Sequence, residues 1–452
     1  MRLLALAAIF VAGGVAHAAT APLAVPPLDY HQRTLDNGLQ VLTLEDHASP
    51  NVSVQVWYHV GSKNDPEGRS GFAHLFEHLM FKSTKHMHAE QMDELTEAVG
   101  GMNNASTGGD ITNYYEVVPS NHLQRLLWAE AERLSNLTVD EANFKSERAV
   151  VQEEYRQSVL ANPYGLLYNA LDQDSYLKHP YRRPTIGNIA ELDAATLDDV
   201  IAFHQTWYRP DNATLIVVGD FDAKQLDGWI DRYFGAIPRP ATPLPRIATH
   251  EPTWKEDRHY DEHGANVPLP AVAQTWLIPP AADADAIPLQ VASAVLGAGD
   301  SSRLYQALVY RDQLAAQIYF DADLRQEQGL MMGFAIVASG KQAADARKAM
   351  LAEIRKLAAT PVSDAELDKV RTQLLTRELA QRQTAMGKAF ALGEAALTQG
   401  DVSRVNSDLA ALQAVTPADV QRVVKKYLVD AHSVSIDYTQ APAAADAEGE
   451  KP

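Results

Sequence analysis

The stretch His74-Leu75-Phe76-Glu77-His78 decides how this chain of 452 residues is interpreted. Residues 70–81 are mostly apolar, which predicts a buried helix over the segment. On a helix, His74 and His78 lie one turn apart on one face, where two imidazoles can converge on one metal ion. Glu77 lies beside them and can take a proton from water that zinc has made acidic. The pattern predicts a zinc site with its own general base, as peptide hydrolysis requires; two satisfied core histidines are the alternative.

A catalytic zinc takes three protein ligands, so a third ligand must come from elsewhere in the chain. The charged segment at residues 147–155 has a helical pattern in which Glu147 and Glu154 share one face. Glu153 points about 100° away from Glu154 on such a helix, so only one of the two can face the metal. Both glutamates are candidates from the pattern alone.

Together, the two segments resemble the pitrilysin or insulinase family of zinc peptidases. That family has a reversed H-x-x-E-H motif and, about 76 residues later, a glutamate in an E-R-x-V-x-x-E-E run, which is the spacing of His78 and Glu154. The resemblance implies that His74, His78 and Glu154 bind one Zn²⁺ per chain and that Glu77 is the catalytic base. It also implies that Glu147 is a carboxylate that supports the catalytic site. A solvated helix face is the alternative for Glu147.

The segment from Gly100 to Thr107 resembles the family's G-G-x-x-N-A-x-T segment, which leads here to an expected edge strand at residues 112–118. In the family this edge pairs with the substrate backbone, which implies that Asn104 and Ala105 bind substrate. Such pairing is β-augmentation, in which an unpaired strand edge supplies hydrogen bonds to an extended peptide. Without the resemblance, the same residues predict an ordinary glycine-rich turn before a strand.

Both ends of the chain have the composition of segments outside the folded domains. Residues 1–18 combine Arg2, an apolar run and Ala16-His17-Ala18, which is the pattern of a signal peptide. We therefore expect a periplasmic protein, or alternatively a secreted one, without a membrane anchor. Residues 19–28 are expected to form an N-terminal extension, and residues 441–452 a disordered tail.

The composition also excludes one class of partner. The formal net charge is −19, and removal of Arg2 with the signal peptide would make it more negative by one unit. Nucleic acid is therefore excluded as a partner on electrostatic grounds, whereas basic or neutral peptides are easier to attract. The chain contains no cysteine, so neither a disulfide nor a lipoprotein anchor is expected.

Two similar halves are indicated by repeated patterns. Residues 139–142 are echoed by residues 363–366, and residues 195–218 by residues 416–436. We predict an α+β fold of two homologous, duplicated α/β-sandwich domains of the pitrilysin/processing-peptidase type. The predicted parts are a zinc-binding catalytic domain at 29–236, a proline-rich linker at 237–252 and an inactive homologous domain at 253–440.

The second half lacks H-x-x-E-H, and Arg377 aligns with Glu154, so the metal is expected only in the first half. Residues 296–305 resemble the family's glycine-rich loop followed by Ser-Arg-Leu. Family members that work alone then carry an arginine and, seven residues later, a tyrosine, which bind substrate and stabilise the oxyanion. Here Val309 and Ala316 occupy those positions.

This departure from the family pattern implies a heterodimer in which a homologous subunit supplies the Arg/Tyr pair. The alternative is a homodimer or monomer that uses Tyr310, Arg311 or Tyr319 instead. As a whole, the sequence predicts a zinc-dependent endopeptidase that hydrolyses extended peptides. One alternative is a non-proteolytic structural or peptide-binding subunit of the same family, against which the intact H-x-x-E-H argues. Another is a periplasmic metal-binding protein, which would need neither Glu77 nor a strand edge.

Overall fold

The structure is a computed structural model that describes residues 24–442, and its strands form two β-sheets. The first sheet contains six strands: β1 (His31–Thr34), β2 (Gln40–Glu45), β3 (Asn51–Tyr58), β4 (Met102–Thr107), β5 (Thr112–Pro119) and β6 (Ala213–Gly219). The second sheet contains five: β7 (Arg258–Gly264), β8 (Ala271–Ile278), β9 (Ala315–Asp323), β10 (Gly329–Val337) and β11 (Ser433–Gln440). The predicted signal peptide and nearly all of the predicted tail lie outside the described residues.

Helices connect the strands in both halves. Those of the first half are α1 (Phe72–Leu79), α2 (Gln91–Glu97), α3 (Leu123–Asn136), α4 (Glu141–Tyr155), α5 (Gly165–Ser175), α6 (Ile189–Ala194), α7 (Leu197–Trp207) and α8 (Ala223–Tyr233). Those of the second half are α9 (Ala286–Gly297), α10 (Ala343–Ala359), α11 (Asp364–Gln381), α12 (Ala385–Gly393), α13 (Arg404–Ala414) and α14 (Pro417–Val424). Short π-helical segments lie at Arg156–Leu160, Tyr305–Arg311, Glu394–Thr398 and Lys425–Val429.

The two sheets share one topology. The first has the order β1-β2-β6-β3-β5-β4 and the second the order β7-β11-β8-β10-β9. When β1 is left out and the strands of each sheet are counted along the chain, both sheets have the order first, fifth, second, fourth, third. In both sheets the pair formed by the first and last of these strands is parallel, and the other pairs are antiparallel. The predicted α+β duplication is confirmed.

The repeated sequence patterns correspond to repeated helix starts. Thr196 and Asp199 form a capping box at the start of α7, and Thr416 and Asp419 form the same box at the start of α14. In such a box each side chain bonds the other residue's backbone N–H, which satisfies donors that the first helical turn leaves unpaired. Each of these helices leads to the last strand of its sheet.

Each half contributes one helix to the other half's sheet. Leu392 of α12 is buried against Trp57 and Ile216 on the outer face of the first sheet. In the opposite direction, Leu167 of α5 is buried against Ile436 of the second sheet. Both sheets are therefore covered on one face by helices of their own half and on the other face by a helix of the other half.

Polar contacts reinforce this exchange. The Asp110 carboxylate accepts hydrogen bonds from Lys63 Nζ at 2.5 Å and from the backbone N–H of Gln326, in the second half, at 2.9 Å. Arg325 donates to Asp172 of α5 at 2.8 Å, and both groups are largely buried. Because buried charged pairs are costly to break, these contacts hold the relative position of the two sheets.

The connection between the halves runs without a helix or strand over residues 237–257 of the described chain. Glu251 fixes its end, because its carboxylate accepts hydrogen bonds from the backbone N–H groups of Leu177, Lys178 and His179 at 2.8–3.0 Å. The exact domain limits stay a prediction. Within residues 24–442, no helix has both the length and the apolar character that a bilayer crossing needs.

We expect Leu392→Ala to destabilise the whole chain, and not only the second half, because the leucine packs under the first sheet. The expected loss is about 2–5 kcal/mol of unfolding free energy, as for other buried leucines. Urea unfolding followed by both tryptophan fluorescence and circular dichroism measures it. Leu177→Ala, which truncates an exposed leucine, is the control. Separate transitions of the two halves would contradict the coupling.

Candidate metal centre

The helix that carries the H-x-x-E-H segment is α1, and it is shorter than predicted. It begins at Phe72 because Gly71, just before it, has φ of 97°, a left-handed conformation that favours glycine. Asp65 accepts hydrogen bonds from the backbone N–H groups of Gly71 and Ala73 at 2.7 and 2.9 Å, and burial raises the pKa of Asp65 to about 7. The helix ends at Leu79, after which Phe81 N–H bonds the carbonyl of His78 in a tighter turn.

His74, His78 and Glu154 come together where α4 packs against α1. Nε2 of His74 lies 3.7 Å, and Nε2 of His78 lies 3.4 Å, from the same Glu154 oxygen. All three potential ligand atoms lie within 4.8 Å of one another. These N···O distances are longer than those of hydrogen bonds. They approach the roughly 3.3–3.5 Å that separates neighbouring ligand atoms around a tetrahedral zinc ion, whose bonds to them are about 2.0–2.2 Å long.

Glu147 lies one layer behind these three residues. Its Oε2 is 3.7 Å from Nδ1 of His78, and its Oε1 is 2.9 Å from Nζ of Lys82. Ser146 donates a further hydrogen bond to Oε1 at 3.0 Å. Glu147 therefore lies on the nitrogen of His78 that faces away from Glu154, where a carboxylate can orient the ring. Its side chain is only 6% exposed, which argues against a solvated helix face.

Glu153 does not join the group. Its carboxylate accepts hydrogen bonds from Arg156 at 3.2 Å and from Gln157 at 3.0 Å on the exposed side of the helix. Of the two adjacent glutamates that the pattern leaves open, the structure turns Glu154 toward the histidines.

Glu77 is connected to the sheet by one hydrogen bond. The hydroxyl of Thr107, at the end of β4, donates to its Oε2 at 2.6 Å. This contact joins the carboxylate of α1 to the strand that borders the site, so the position of Glu77 is defined relative to that strand. Sequence reasoning places Thr107 in the family's segment but assigns it no role, and it assigns none to Lys82.

The prediction that residues 112–118 form the edge strand is wrong, because the edge is the preceding strand, β4. Residues 112–118 lie in β5, which is paired on both sides, with β3 and with β4. Within the described part of the chain, β4 itself is the outer strand of that end of the sheet. The prediction failed because the segment quoted as a turn, which includes Asn104 and Ala105, is extended enough to form a strand of its own.

Asn104 and Ala105 therefore lie on the edge. The backbone N–H of Ala105 bonds the side-chain oxygen of its neighbour Asn104 at 2.8 Å. The backbone N–H of Ala105 is thus bonded to a local side-chain oxygen, and the carbonyl oxygen of an incoming peptide can take the place of that oxygen.

The two histidines have different electrostatic surroundings. Burial lowers the pKa of His74 to about 4, and the neighbouring His78 acts in the same direction. Burial also opposes the charged form of His78, but Glu147, Glu154 and Glu77 outweigh burial and raise its pKa. The pKa of Glu77 is raised by burial, despite the hydrogen bond from Thr107.

The residues present fit a zinc ion. Two imidazoles and one carboxylate converge on a common point, and such a donor set suits zinc. Glu77, Glu147 and Glu154 place three carboxylates around the site, with Lys82 as the cation bound to Glu147, and this excess of negative charge favours a divalent cation. The buried Nδ1 of His74 has no hydrogen-bond partner among residues 24–442, so this ring is held by packing.

The second half has no comparable group at the corresponding place in the described chain. A cavity of about 1220 Å³ lies among α9, β9, α11 and α12, where Gln290, Ser293 and Arg377 line it. Val309 lies in the π-helical segment before β9, and Ala316 lies on β9.

The substitutes named for the Arg/Tyr pair have other contacts or face solvent. Arg311 bonds Asp312 and Glu353, and Tyr319 stacks on Phe334. Tyr310 is 73% exposed. Arg311 and Tyr319 thus already have partners within the second half.

Comparison with known proteins places this geometry in a family. The profile of the insulinase family, peptidase family M16, matches residues 40–188, and the profile of the peptidase M16 inactive domain matches residues 194–374. The zinc protease PqqE of Helicobacter pylori is 31% identical over 407 residues, which cover 89% of this chain and 91% of that protein. This chain belongs to peptidase family M16.

Other relatives agree with this assignment. A probable mitochondrial-processing peptidase subunit beta of Arabidopsis thaliana is 26% identical, over 88% of this chain and 76% of its own length. The crystal structure of a protease from Helicobacter pylori has a TM-score of 0.88 at 29% identity and covers 92% of this chain and 100% of its own. The resemblance to the family is confirmed, and with it a peptidase-type function. The match of the second half to an inactive domain agrees with its lack of H-x-x-E-H.

We expect Glu154→Gln to weaken zinc binding strongly, because it removes the one anionic member of the three converging groups. Glu153→Gln, a matched change at the adjacent residue, should leave zinc affinity unchanged. Competition with a chromogenic chelator measures both affinities. Equal losses in the two variants would contradict the assignment of Glu154, rather than Glu153, as the third ligand.

Proposed function

We propose that this chain is a zinc-dependent endopeptidase that hydrolyses extended peptides. The observation that carries the proposal is the convergence of His74, His78 and Glu154 beside Glu77, at the end of a strand whose outer edge is open within the described chain. Zinc alone would require only the three ligands. A base and a strand edge at the same place are what peptide hydrolysis adds.

Each side chain has a distinct role in this proposal. His74, His78 and Glu154 would hold one zinc ion, which when bound supplies a Lewis acid that acidifies water and polarises the scissile carbonyl. Glu77 takes the proton of the attacking water and later passes it to the leaving amine. Its raised pKa suits a group that must both accept and release a proton. Glu147 orients the ring of His78, and Lys82 balances the charge of Glu147.

The substrate would lie along β4 as an additional strand. Asn104 and Ala105 are at its centre, and Thr107 at its end contacts Glu77, so a peptide paired with β4 passes close to the base. Backbone pairing requires an extended chain and depends little on side-chain identity. Unfolded peptides, rather than folded proteins, are therefore the proposed substrates.

The active unit would be a heterodimer in the periplasm. The absence of the arginine and tyrosine at Val309 and Ala316, together with the engaged states of Arg311 and Tyr319, supports a homologous partner that supplies them. A relative named as the beta subunit of a processing peptidase is consistent with a multisubunit arrangement. The periplasmic location rests on the signal-peptide pattern of residues 1–18.

We expect Glu77→Gln to retain one zinc ion per chain while peptide hydrolysis falls at least about 100-fold, because the variant loses proton transfer but no metal ligand. Elemental analysis and cleavage of an unstructured fluorogenic peptide, with the partner chain present, measure the two properties. Glu97→Gln, the same change on the exposed end of α2, is the control. Loss of zinc in Glu77→Gln would contradict its assignment as a base, and full activity would contradict the proposed function.

Mixing this chain with a homologous chain that carries the Arg/Tyr pair should raise kcat/KM about 10²–10³-fold, the usual effect of one oxyanion donor. The assay compares the isolated chain, the mixture, and a mixture whose partner has the tyrosine replaced by phenylalanine. Full activity of the isolated chain, unchanged by the partner, would exclude the heterodimer. That result would favour the exposed Tyr310 as the residue that substitutes for the Arg/Tyr pair.

A further inference from the structure

A second group of metal-ligating side chains lies on the outer strand of the second sheet. Within residues 24–442, β7 is paired on one side only, with β11. Side chains two residues apart on a strand share a face, so His259, Asp261 and His263 point to the same side of β7. None of these residues belongs to the candidate metal centre.

Three ligand atoms converge at this place. Nε2 of His259 lies 3.4 Å from Oδ1 of Asp261 and 3.6 Å from Oδ2 of Asp437, and all three lie within 4.8 Å of one another. The strands bring them together because β7 and β11 are parallel and Asp437 is in register with Asp261. Neither distance is that of a hydrogen bond, and both are close to the roughly 3.3–3.5 Å between ligands of tetrahedral zinc.

The histidine ring is oriented for coordination. Ser435, in register with His259, lies with its Oγ 2.9 Å from Nδ1 of that ring. When Nδ1–H donates to this hydroxyl, the lone pair of Nε2 points to the two carboxylates, which is the arrangement of metal-ligating histidines.

Asp437 is held as well. Arg347 of α10 donates a hydrogen bond to its Oδ1, while Oδ2 faces His259. Ligating carboxylates are commonly anchored in this way through the oxygen that does not bind the metal. Within residues 24–442, no lysine or arginine forms an ion pair with Asp261. The two carboxylates together carry more negative charge than Arg347 neutralises.

We propose that His259, Asp261 and Asp437 bind a divalent metal ion, preferably Zn²⁺. This site would act independently of the candidate metal centre. One imidazole and two carboxylates suit zinc and leave a fourth position for water. The side chains of His259 and Asp261 are 46% and 70% exposed, so binding is reversible and weaker than at the less exposed candidate metal centre. The group contains no free carboxylate comparable to Glu77, which makes it a binding site and not a second hydrolytic site.

The test uses the full chain with His74 and His78 both replaced by alanine, so that the first centre cannot contribute. Isothermal titration with Zn²⁺, and the visible absorption of Co²⁺ in the same protein, should report one remaining equivalent. Adding His259→Ala or Asp261→Asn should remove that equivalent. Ser435→Ala should weaken it roughly 10–100-fold, because the ring loses its orienting partner.

His263→Ala is the matched control. Its Nδ1 lies 2.9 Å from the Thr439 hydroxyl, as His259 is held by Ser435, yet His263 is not one of the three converging residues. Its loss should leave the stoichiometry unchanged. Circular dichroism verifies folding of each variant. The proposal would be overturned if the variant that lacks His74 and His78 bound no Zn²⁺. It would also be overturned if the remaining equivalent survived both His259→Ala and Asp261→Asn.

Discussion

The exchange of one helix between the halves is the constraint on which the rest of the structure depends. The first sheet has two apolar faces, and only one of them is covered by helices of its own half. The other needs α12, where Leu392 is buried against Trp57, and the second sheet needs α5 in return. Because each fully buried leucine is worth about 1.5–3 kcal/mol relative to exposure, neither half can give up its counterpart without a large loss.

This explains why the chain keeps a half that lacks H-x-x-E-H. The second half covers the back of the first sheet, and β4 at the edge of that sheet borders the candidate metal centre. Thr107 ends β4 and contacts Glu77, so a displacement of the sheet would be transmitted to Glu77. The buried Arg325–Asp172 pair acts in the same direction, since it ties the second sheet to the helix that the first half contributes.

Local patterns in the sequence indicated two of the candidate ligands but not their surroundings. The shared face of His74 and His78 follows from helical periodicity, whereas Glu154 was separated from Glu153 only by the resemblance to the family, and the structure turns Glu154 toward the histidines. Periodicity says nothing about which strand ends a sheet, because both β4 and β5 have extended patterns. Edge position is a property of pairing between distant segments, and this is why residues 112–118 were assigned wrongly. The contact of Lys82 with Glu147, and the exchange of α5 and α12, are also invisible without the folded chain.

The duplication shows which residues a fold requires and which only a function requires. Thr196 and Thr416 begin equivalent helices with the same capping box, because unpaired backbone N–H groups must be satisfied in both halves. Glu154 of α4 aligns with Arg377 of α11, so the two helices carry opposite charge at this position, and Arg377 lines the cavity of the second half. Backbone requirements thus act equally on both copies, whereas, among the described residues, the group formed by His74, His78 and Glu154 is present in the first copy only. The first copy has an intact H-x-x-E-H together with a Glu154 that faces both histidines, and this combination supports the proposed zinc centre.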